Sequence, residues 1–240
     1  MSNGRRRVVV TGAAGRIGAL VVEGHRERWD VVATDLRPSD TVAALDVADR
    51  DACLAAFAGA DVVLHLGADP SPIADWEHLH GPNVVGPYAV VTAAVECRVQ
   101  RLVLASSLHA VSARAPHAQA RASDAPRPGN LYGATKAWSE ALGAWAAATT
   151  DLEVVALRIG WFHPERPDHD DPWQDPPAWL SPRDTLELVR AAVEGPVDGF
   201  TVVNGVSANR LRSAAYGEAE RRLGYRPVDD AFADPSAAAT

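Results

Sequence analysis

Cysteine is scarce: Cys53 and Cys97 are the only two among 240 residues. They have no metal-ligand spacing and no disulfide is expected between them, so both read as small buried apolar residues. No apolar run reaches the length of a bilayer span, which argues against a membrane helix. An apolar leader is missing as well. Arg5-Arg6-Arg7 runs straight into a short β-branched stretch, so no signal peptide is expected and the cytoplasm is the default location. Basic charge is not in excess, and the net charge of −8 argues against nucleic acid as a partner. No solenoid-length repeat is visible and no metal site is expected. What remains is an ordinary globular balance, 47% hydrophobic and 22% charged, in a chain that suits one domain.

The most informative stretch is Val8-Val9-Val10-Thr11-Gly12-Ala13-Ala14-Gly15-Arg16-Ile17-Gly18. A β-branched run reads as a buried parallel strand. Glycines follow, and then an apolar helical pattern at Ile17, Leu20 and Val21. Gly12 permits a tight turn, Gly15 lets backbone approach a pyrophosphate, and Gly18 lets the helix sit close to the sheet. The free amides at the helix start, from Arg16 onward, face the anion. Asp35 ends the next strand, Trp29–Asp35, where a carboxylate can accept the adenosine-ribose hydroxyls; beside Leu36, it favours NAD over its 2′-phosphorylated form. Arg37 can soften that preference.

Strand and helix patterns alternate along the rest of the chain. Val42–Leu45 reads as a short strand. Asp46 after it either meets an adenine amino group, with Val47 on the ring, or caps the helix at Asp49–Phe57. Asp61–Leu66 is the next strand, and Leu66-Gly67-Ala68 gives it a small-residue exit under a cofactor. His65 within it reads as a core histidine. Asp69–Pro82 is a loop at a strand end, with Ser71 a weak substrate candidate. A helix is expected over Asn83–Cys97, a strand over Arg101–Ser107, and then a long stretch to Gly129 broken by Pro116, Pro126 and Pro128. The helix Leu131–Thr149 and the strand Leu152–Ile159 follow. Trp161–Ala178 reads as a lid rather than a linker. Ser181-Pro182 opens a helix to Glu194, Gly199–Asn204 is a last strand, and helix resumes after Ala208. The tail from Ala233 is expected to fray. The architecture is therefore α/β: a Rossmann-type, doubly wound parallel sheet with helices on both faces and a small C-terminal substrate or lid region. Residues 1–240 are read as one domain, with lid segments near 108–129 and 161–180.

Tyr132 and Lys136 lie four apart on one helix face. An ammonium one turn from a phenol favours the phenolate. Ser107 ends a strand and can hold a substrate oxygen beside Tyr132. After a dinucleotide fingerprint, this combination points to a small-molecule oxidoreductase.

These pieces resemble the short-chain dehydrogenase/reductase superfamily, in its extended epimerase/dehydratase branch. The matching segments are Thr11-Gly12-Ala13-Ala14-Gly15-Arg16-Ile17-Gly18, Asp35, Asp46-Val47, His65-Leu66-Gly67-Ala68, Asn83-Val84-Val85-Gly86, Ala105-Ser106-Ser107, Leu131–Lys136 and Leu157-Arg158-Ile159-Gly160. The resemblance implies NAD as cofactor. It implies Ser107, Tyr132 and Lys136 as catalytic residues, with Tyr132, Lys136 and Ile159 also at the cofactor and Asn83 ordering a supporting water. Homodimers, common in the superfamily through helices near Asn83 and Leu131, are implied too.

Within that branch the chain is most similar to uronate dehydrogenases, which oxidise the anomeric carbon of a free hexuronic acid. The pieces are Ala105–His109, Arg127-Pro128, Leu131–Gly133, Arg158–Gly160, Ala178–Ser181 and Gly205–Asn209. Leu108, His109 and Trp161 become substrate candidates. Two departures stand out. Trp161 replaces a serine of that group, and the acidic run Asp168–Asp175 replaces its carboxylate-holding arginine, with Arg166 a candidate substitute. Such a lid opposes an anionic substrate. The chain therefore reads as an NAD-dependent oxidoreductase of a free sugar, sugar acid or small polyol. An epimerase or dehydratase with retained NAD is the alternative, and a non-catalytic dinucleotide sensor the third reading.

Overall fold

Short β-branched runs alternate with helix-forming segments, and in the computed structural model those runs pair into one parallel sheet. It describes residues 4–115 and 118–234. Pro116 and the tail past Asp234 therefore lie outside the described residues.

The strands are β1 (Arg7–Thr11), β2 (Asp30–Asp35), β3 (Ala43–Ala44), β4 (Val62–His65), β5 (Arg101–Ser107), β6 (Glu153–Ile159), β7 (Trp161–Phe162), β8 (Trp179–Leu180) and β9 (Phe200–Gly205). The helices are α1 (Arg16–His25), α2 (Arg50–Phe57), α3 (Trp76–Leu79), α4 (Gly86–Glu96), α5 (Leu131–Thr149), α6 (Pro182–Glu194) and α7 (Gly217–Leu223). The sheet has seven strands in the order β3-β2-β1-β4-β5-β6-β9, while β7 and β8 pair separately. The chain winds outward from β1 to β3, then returns to place β4 on the other side of β1. That reversal opens a crevice at the carboxyl ends of β1 and β4, where ligands bind in open α/β sheets.

The apolar runs explain the layering. Val8, Val9 and Val10 are fully buried, because both faces of the sheet are covered. On one face Val21 of α1, Leu188 and Val189 of α6 and Leu223 of α7 pack together. On the other, Cys53 and Phe57 of α2, Val90 and Val91 of α4, and Leu142 and Ala146 of α5 do so. Cys53 and Cys97 are free, the first buried and the second half-buried. Helix starts follow the expected chemistry. Asp49 caps α2 by accepting from the Ala52 amide at 3.0 Å, and Ser181 caps α6 by accepting from the Asp184 amide at 3.0 Å. The helical cap at Asp49 leaves Asp46 outside that role; Asp46 accepts from the Ala48 amide instead.

Three expectations change. The third strand is only Ala43–Ala44, within Val42–Leu45. No uniform helix starts at Asn83: α3, a π-helical turn over His80–Val85 and then α4 replace it. Helix does not resume after Ala208, because α7 begins only at Gly217. Between them, Asn209 donates to the Trp179 carbonyl and accepts from the Ala231 amide, and Ala120 bridges Ala214. Those long-range bonds hold the segment open.

His65 sits in β4 as a core histidine. Thr11 Oγ1 lies 2.8 Å from its Nδ1 and accepts from the Gly67 amide at 3.3 Å. Burial, reinforced by the Lys136 charge, lowers His65 from 6.5 to about 3. The folded protein thus refuses a proton that the unfolded chain takes below pH 6.5. Stability is complete above that pH and falls by about 1.4 kcal/mol per unit toward pH 3. In urea titrations between pH 7 and 4.5, His65→Asn is expected to show a flatter acid limb than the parent; parallel limbs would refute this.

Candidate active site

The site grows from the turn after β1. Gly12 has φ of +70°, a conformation glycine adopts without strain, and a Cβ there would lie 2.6 Å from the Gly67 amide nitrogen. At Gly18 a Cβ would stand 2.1 Å from the Gly12 carbonyl oxygen, so α1 can lie this close to the turn only as glycine. Gly15 differs. Its Cβ would meet only the Gly12 oxygen, at 3.1 Å, a tight contact but a milder one than at Gly12 or Gly18. The first helical bond runs from the Ala19 amide to Gly15, 2.9 Å. The amides of Arg16, Ile17 and Gly18 therefore precede the ladder and suit an anion.

Asp35 ends β2 beside this turn and is buried. Its carboxylate accepts from the Ala14 amide at 3.0 Å and the Arg37 amide at 2.9 Å. It thereby ties the glycine turn to the strand end where an adenosine ribose would lie. Leu36 is exposed next to it, and Val47 is wedged between Gly67 and Gly86.

A cavity of about 620 Å³ runs from Gly12, Gly15, Arg16, Ile17 and Gly18 past Leu66 and Ala68 to Ser107, Tyr132 and Lys136. Leu108, His109, Ile159 and Trp161 line it further on. The glycine turn and the Ser–Tyr–Lys set, separated by more than 90 residues of sequence, thus share one space. The donor set fits a dinucleotide: a glycine cradle, helix-start amides and an acid at the second strand end.

Each polar group in this space is oriented by its neighbours. Asn130 caps α5 through its Oδ1, which accepts from the Gly133 amide at 2.7 Å. Its Nδ2 therefore donates to His109 Nδ1 at 3.0 Å, which leaves Nε2 of His109 protonated. Burial lowers the His109 pKa and keeps the ring neutral, edge-on to Tyr132 at 5.6 Å. Ser107 Oγ accepts from the His109 amide at 3.2 Å, so its hydroxyl proton is free to donate. Burial raises the Tyr132 phenol, and the neighbouring Ser107 hydroxyl works against that rise. Lys136 is the only lysine of the chain. Its Nζ donates to the Ala105 carbonyl at 2.9 Å and stands 5.5 Å from the Tyr132 ring centre. Burial lowers it from 10.5 to about 8.

Behind this set lies a buried ion pair. Arg158 Nε and Nη2 donate to Glu140 at 2.9 and 2.8 Å, and Ser106 Oγ donates to the same carboxylate at 2.5 Å. Arg158 Nη1 also donates to the Asp124 carbonyl at 3.0 Å.

Some expected residues stand elsewhere. Asn83 is buried and occupied: it accepts from the Asp69 amide at 2.8 Å and donates to the Asp69 carbonyl at 2.9 Å and to Thr135 at 3.4 Å. It clamps the loop after β4 to α5 and does not line the cavity, so the structure offers no direct cofactor contact. Ser71 turns into a local loop through Asp69, and its neighbours Pro70 and Pro72 line the cavity in its place. Arg166 points away, donating to the Ala233 carbonyl at 3.0 Å, so it does not substitute for a substrate-holding arginine. Of the acids in the run Asp168–Asp175 only Asp175 lines the cavity, at its far end; Arg114, which no local motif marks and sequence reasoning passed over, lines it too.

Fold and cavity together define the class: a Rossmann-type oxidoreductase in which a small molecule reacts beside a dinucleotide. The model of the NAD dependent epimerase/dehydratase family matches residues 8–172, and the chain belongs to that family. It is an NAD-dependent oxidoreductase. An L-arabinose 1-dehydrogenase (NAD(P)(+)) of Haloferax volcanii is 38% identical over 93% of this chain and 97% of its own length. A uronate dehydrogenase of Pseudomonas putida is 30% identical over 93% of this chain and 84% of its own. A solved uronate dehydrogenase variant from Agrobacterium tumefaciens, complexed with NAD, superposes with a TM-score of 0.85 at 30% identity, covering 94% of this chain and 86% of that one.

The Lys136 charge has a stability cost that can be read directly. Below pH 8 the folded protein holds a buried ammonium, disfavoured by roughly 3 kcal/mol relative to the unfolded chain. Between pH 8 and 10.5 the unfolded chain keeps the proton that the folded chain has released, so stability rises across that window. Lys136→Met is expected to lose activity yet be at least as stable as the parent at pH 7, with an advantage that shrinks toward pH 10.5. Urea unfolding at several pH values measures this, and a gap independent of pH would contradict it.

Proposed function

We propose that the chain oxidises a free sugar at its anomeric carbon and releases a lactone. The observation that carries the reading is that Ser107, Tyr132 and Lys136 line the same cavity as the glycine turn. Ser107 donates its free hydroxyl proton to the anomeric oxygen. Tyr132, as phenolate, takes the proton of the substrate hydroxyl. The Lys136 ammonium stabilises that phenolate and holds the nicotinamide ribose. Bound NAD supplies the hydride acceptor, and holding C1–H against it contributes much of the acceleration. The amides of Arg16 to Gly18 would hold the pyrophosphate and Asp35 the ribose; Leu36, Asp46 and Val47 would serve the adenine, and Leu66, Gly67, Ala68 and Ile159 the nicotinamide. The names of the relatives, L-arabinose 1-dehydrogenase and uronate dehydrogenase, support a free sugar or sugar acid. The reading takes the whole chain as one cytoplasmic domain, with segments 108–129 and 161–180 closing over the substrate. Among the described residues no helix is long and apolar enough to cross a membrane.

The same reading includes a homodimer. Leu131, Trp138 and Trp145 are exposed at seven-residue spacing along α5, and Tyr88 is exposed on α4, which packs beside it. Such an aromatic stripe is the kind of patch that a partner covers.

NADH absorbance should rise when protein and NAD are mixed with free aldoses or hexuronic acids, and Tyr132→Phe should cut the rate at least about 100-fold. A tightly held NAD with no net NADH would move the reading to an epimerase or dehydratase. In sedimentation velocity the parent should run as a dimer and Trp145→Asp as a monomer; a monomeric parent would remove the dimer.

A further inference from the structure

The acidic lid turns most of its charge away from the cavity. Asp168 accepts from the Asp170 amide at 3.0 Å, and Asp171 from the Trp173 amide and the Gln174 side chain, both at 2.9 Å. Gln174 in turn accepts from the Asp168 amide at 2.8 Å, so this part of the lid is closed on itself. Asp175 is different. It lines the cavity near His109, at the substrate end. Its Oδ1 accepts from the Ala178 amide at 3.2 Å and caps a short turn. Its Oδ2 has no hydrogen-bond partner among the described residues.

The nearby cation makes no bond to it. Arg114 also lines the cavity, but its Nε donates to the Ala118 carbonyl at 2.7 Å, Nη1 to Val111 at 3.4 Å and Nη2 to Ser213 at 3.3 Å. Each guanidinium nitrogen thus bonds a backbone carbonyl and no ion pair joins Arg114 to Asp175, although its charge acts on that carboxylate through space. A carboxylate with a free oxygen is an acceptor for hydroxyl groups and repels another carboxylate.

We propose that Asp175 selects a neutral aldose: its Oδ2 accepts hydroxyl hydrogens of the sugar ring, and its charge excludes the carboxylate of a hexuronic acid. The proposal rests on the free-sugar reading and names the substrate class within it. Asp175 acts on binding and specificity, while proton transfer stays with Tyr132. Partial burial raises the Asp175 carboxyl, with Arg114 and His109 opposing that rise.

The test uses two matched pairs of sugars, galactose with galacturonate and glucose with glucuronate, each differing at C6 alone. With the full chain and NAD, kcat/KM should favour the neutral member of a pair. Asp175→Asn keeps the amide-accepting cap oxygen and should lower kcat/KM for the neutral sugar by about 10- to 100-fold, mainly through KM. Asp175→Arg should invert the preference. NADH binding, followed by fluorescence, should match the parent in both variants. If the parent oxidises neutral sugars but Asp175→Asn leaves the neutral-to-acid ratio unchanged, the proposal is overturned and the free-sugar reading stands. The same holds if the parent prefers the hexuronates. L-arabinose is run beside them: if it alone is oxidised, Asp175→Asn should lower its kcat/KM in the same way, and an unchanged kcat/KM overturns the proposal; if neither it nor any member of a pair is oxidised, both readings fall.

Discussion

Glu140 and Arg158 face each other in an interior closed to water, and the site depends on that pair. Glu140 lies one turn beyond Lys136 on α5, and Arg158 lies beside Ile159 at the end of β6. Through Ser106, the same carboxylate reaches the residue next to Ser107. Helix, two strands and the loop at Asp124 are therefore held by one charge pair. Removing water from two ions is costly, and the attraction repays it only where geometry is good and the remaining polar atoms are bonded. Here the guanidinium makes two bonds to the carboxylate and further bonds to loop carbonyls. Such a pair contributes little net stability against an apolar substitute. Its value is positional, because losing either partner would strand a buried charge behind Ser107 and Lys136.

The sheet supplies the other constraint. Parallel strands bring all their carboxyl ends to one edge, so Thr11, Asp35, His65, Ser107 and Ile159 end on the same side despite their separation in sequence. Glycines then set how near backbone can come. Gly12 and Gly18 are demanded by protein atoms, and Gly15 more mildly, by the Gly12 carbonyl oxygen. The end of the cavity at the β1 turn is thus made largely of backbone and small residues, while its other end is made of side chains from strand ends, α5 and two irregular segments.

That division decides what was legible in the sequence. β5 and α5 have the expected boundaries, because their apolar periods and the α5 cap act locally. The glycine turn was legible for the same reason: Gly12, Gly15, Gly18 and Asp35 stand in short-range patterns, and the structure puts Asp35 against that turn. The π-helical turn around Asn83 was not, and the bonds Asn83 makes there reach Asp69 and Thr135, which no local pattern connects to it. Nor was the open segment after Ala208, which is held by Asn209 reaching Trp179 and Ala231. Arg114 and Asp175 come from loops with no period, and only the folded chain brings them together. One signal was available and unused: a chain with 23 basic residues has a single lysine. Arginine stays protonated at any ordinary pH, whereas a buried lysine can shift its pKa, and Lys136 occupies the one place where that difference matters.

Having that lysine buried has a consequence for a protein read as handling free sugars. Reducing sugars condense with unprotonated amines, and the usual targets are lysine side chains on protein surfaces. This surface offers none. Its positive charge is carried by guanidinium groups, which remain protonated, and the single side-chain amine is held against Ala105 inside the fold. Prolonged exposure to a reactive aldehyde substrate would therefore find no lysine on the outside to modify.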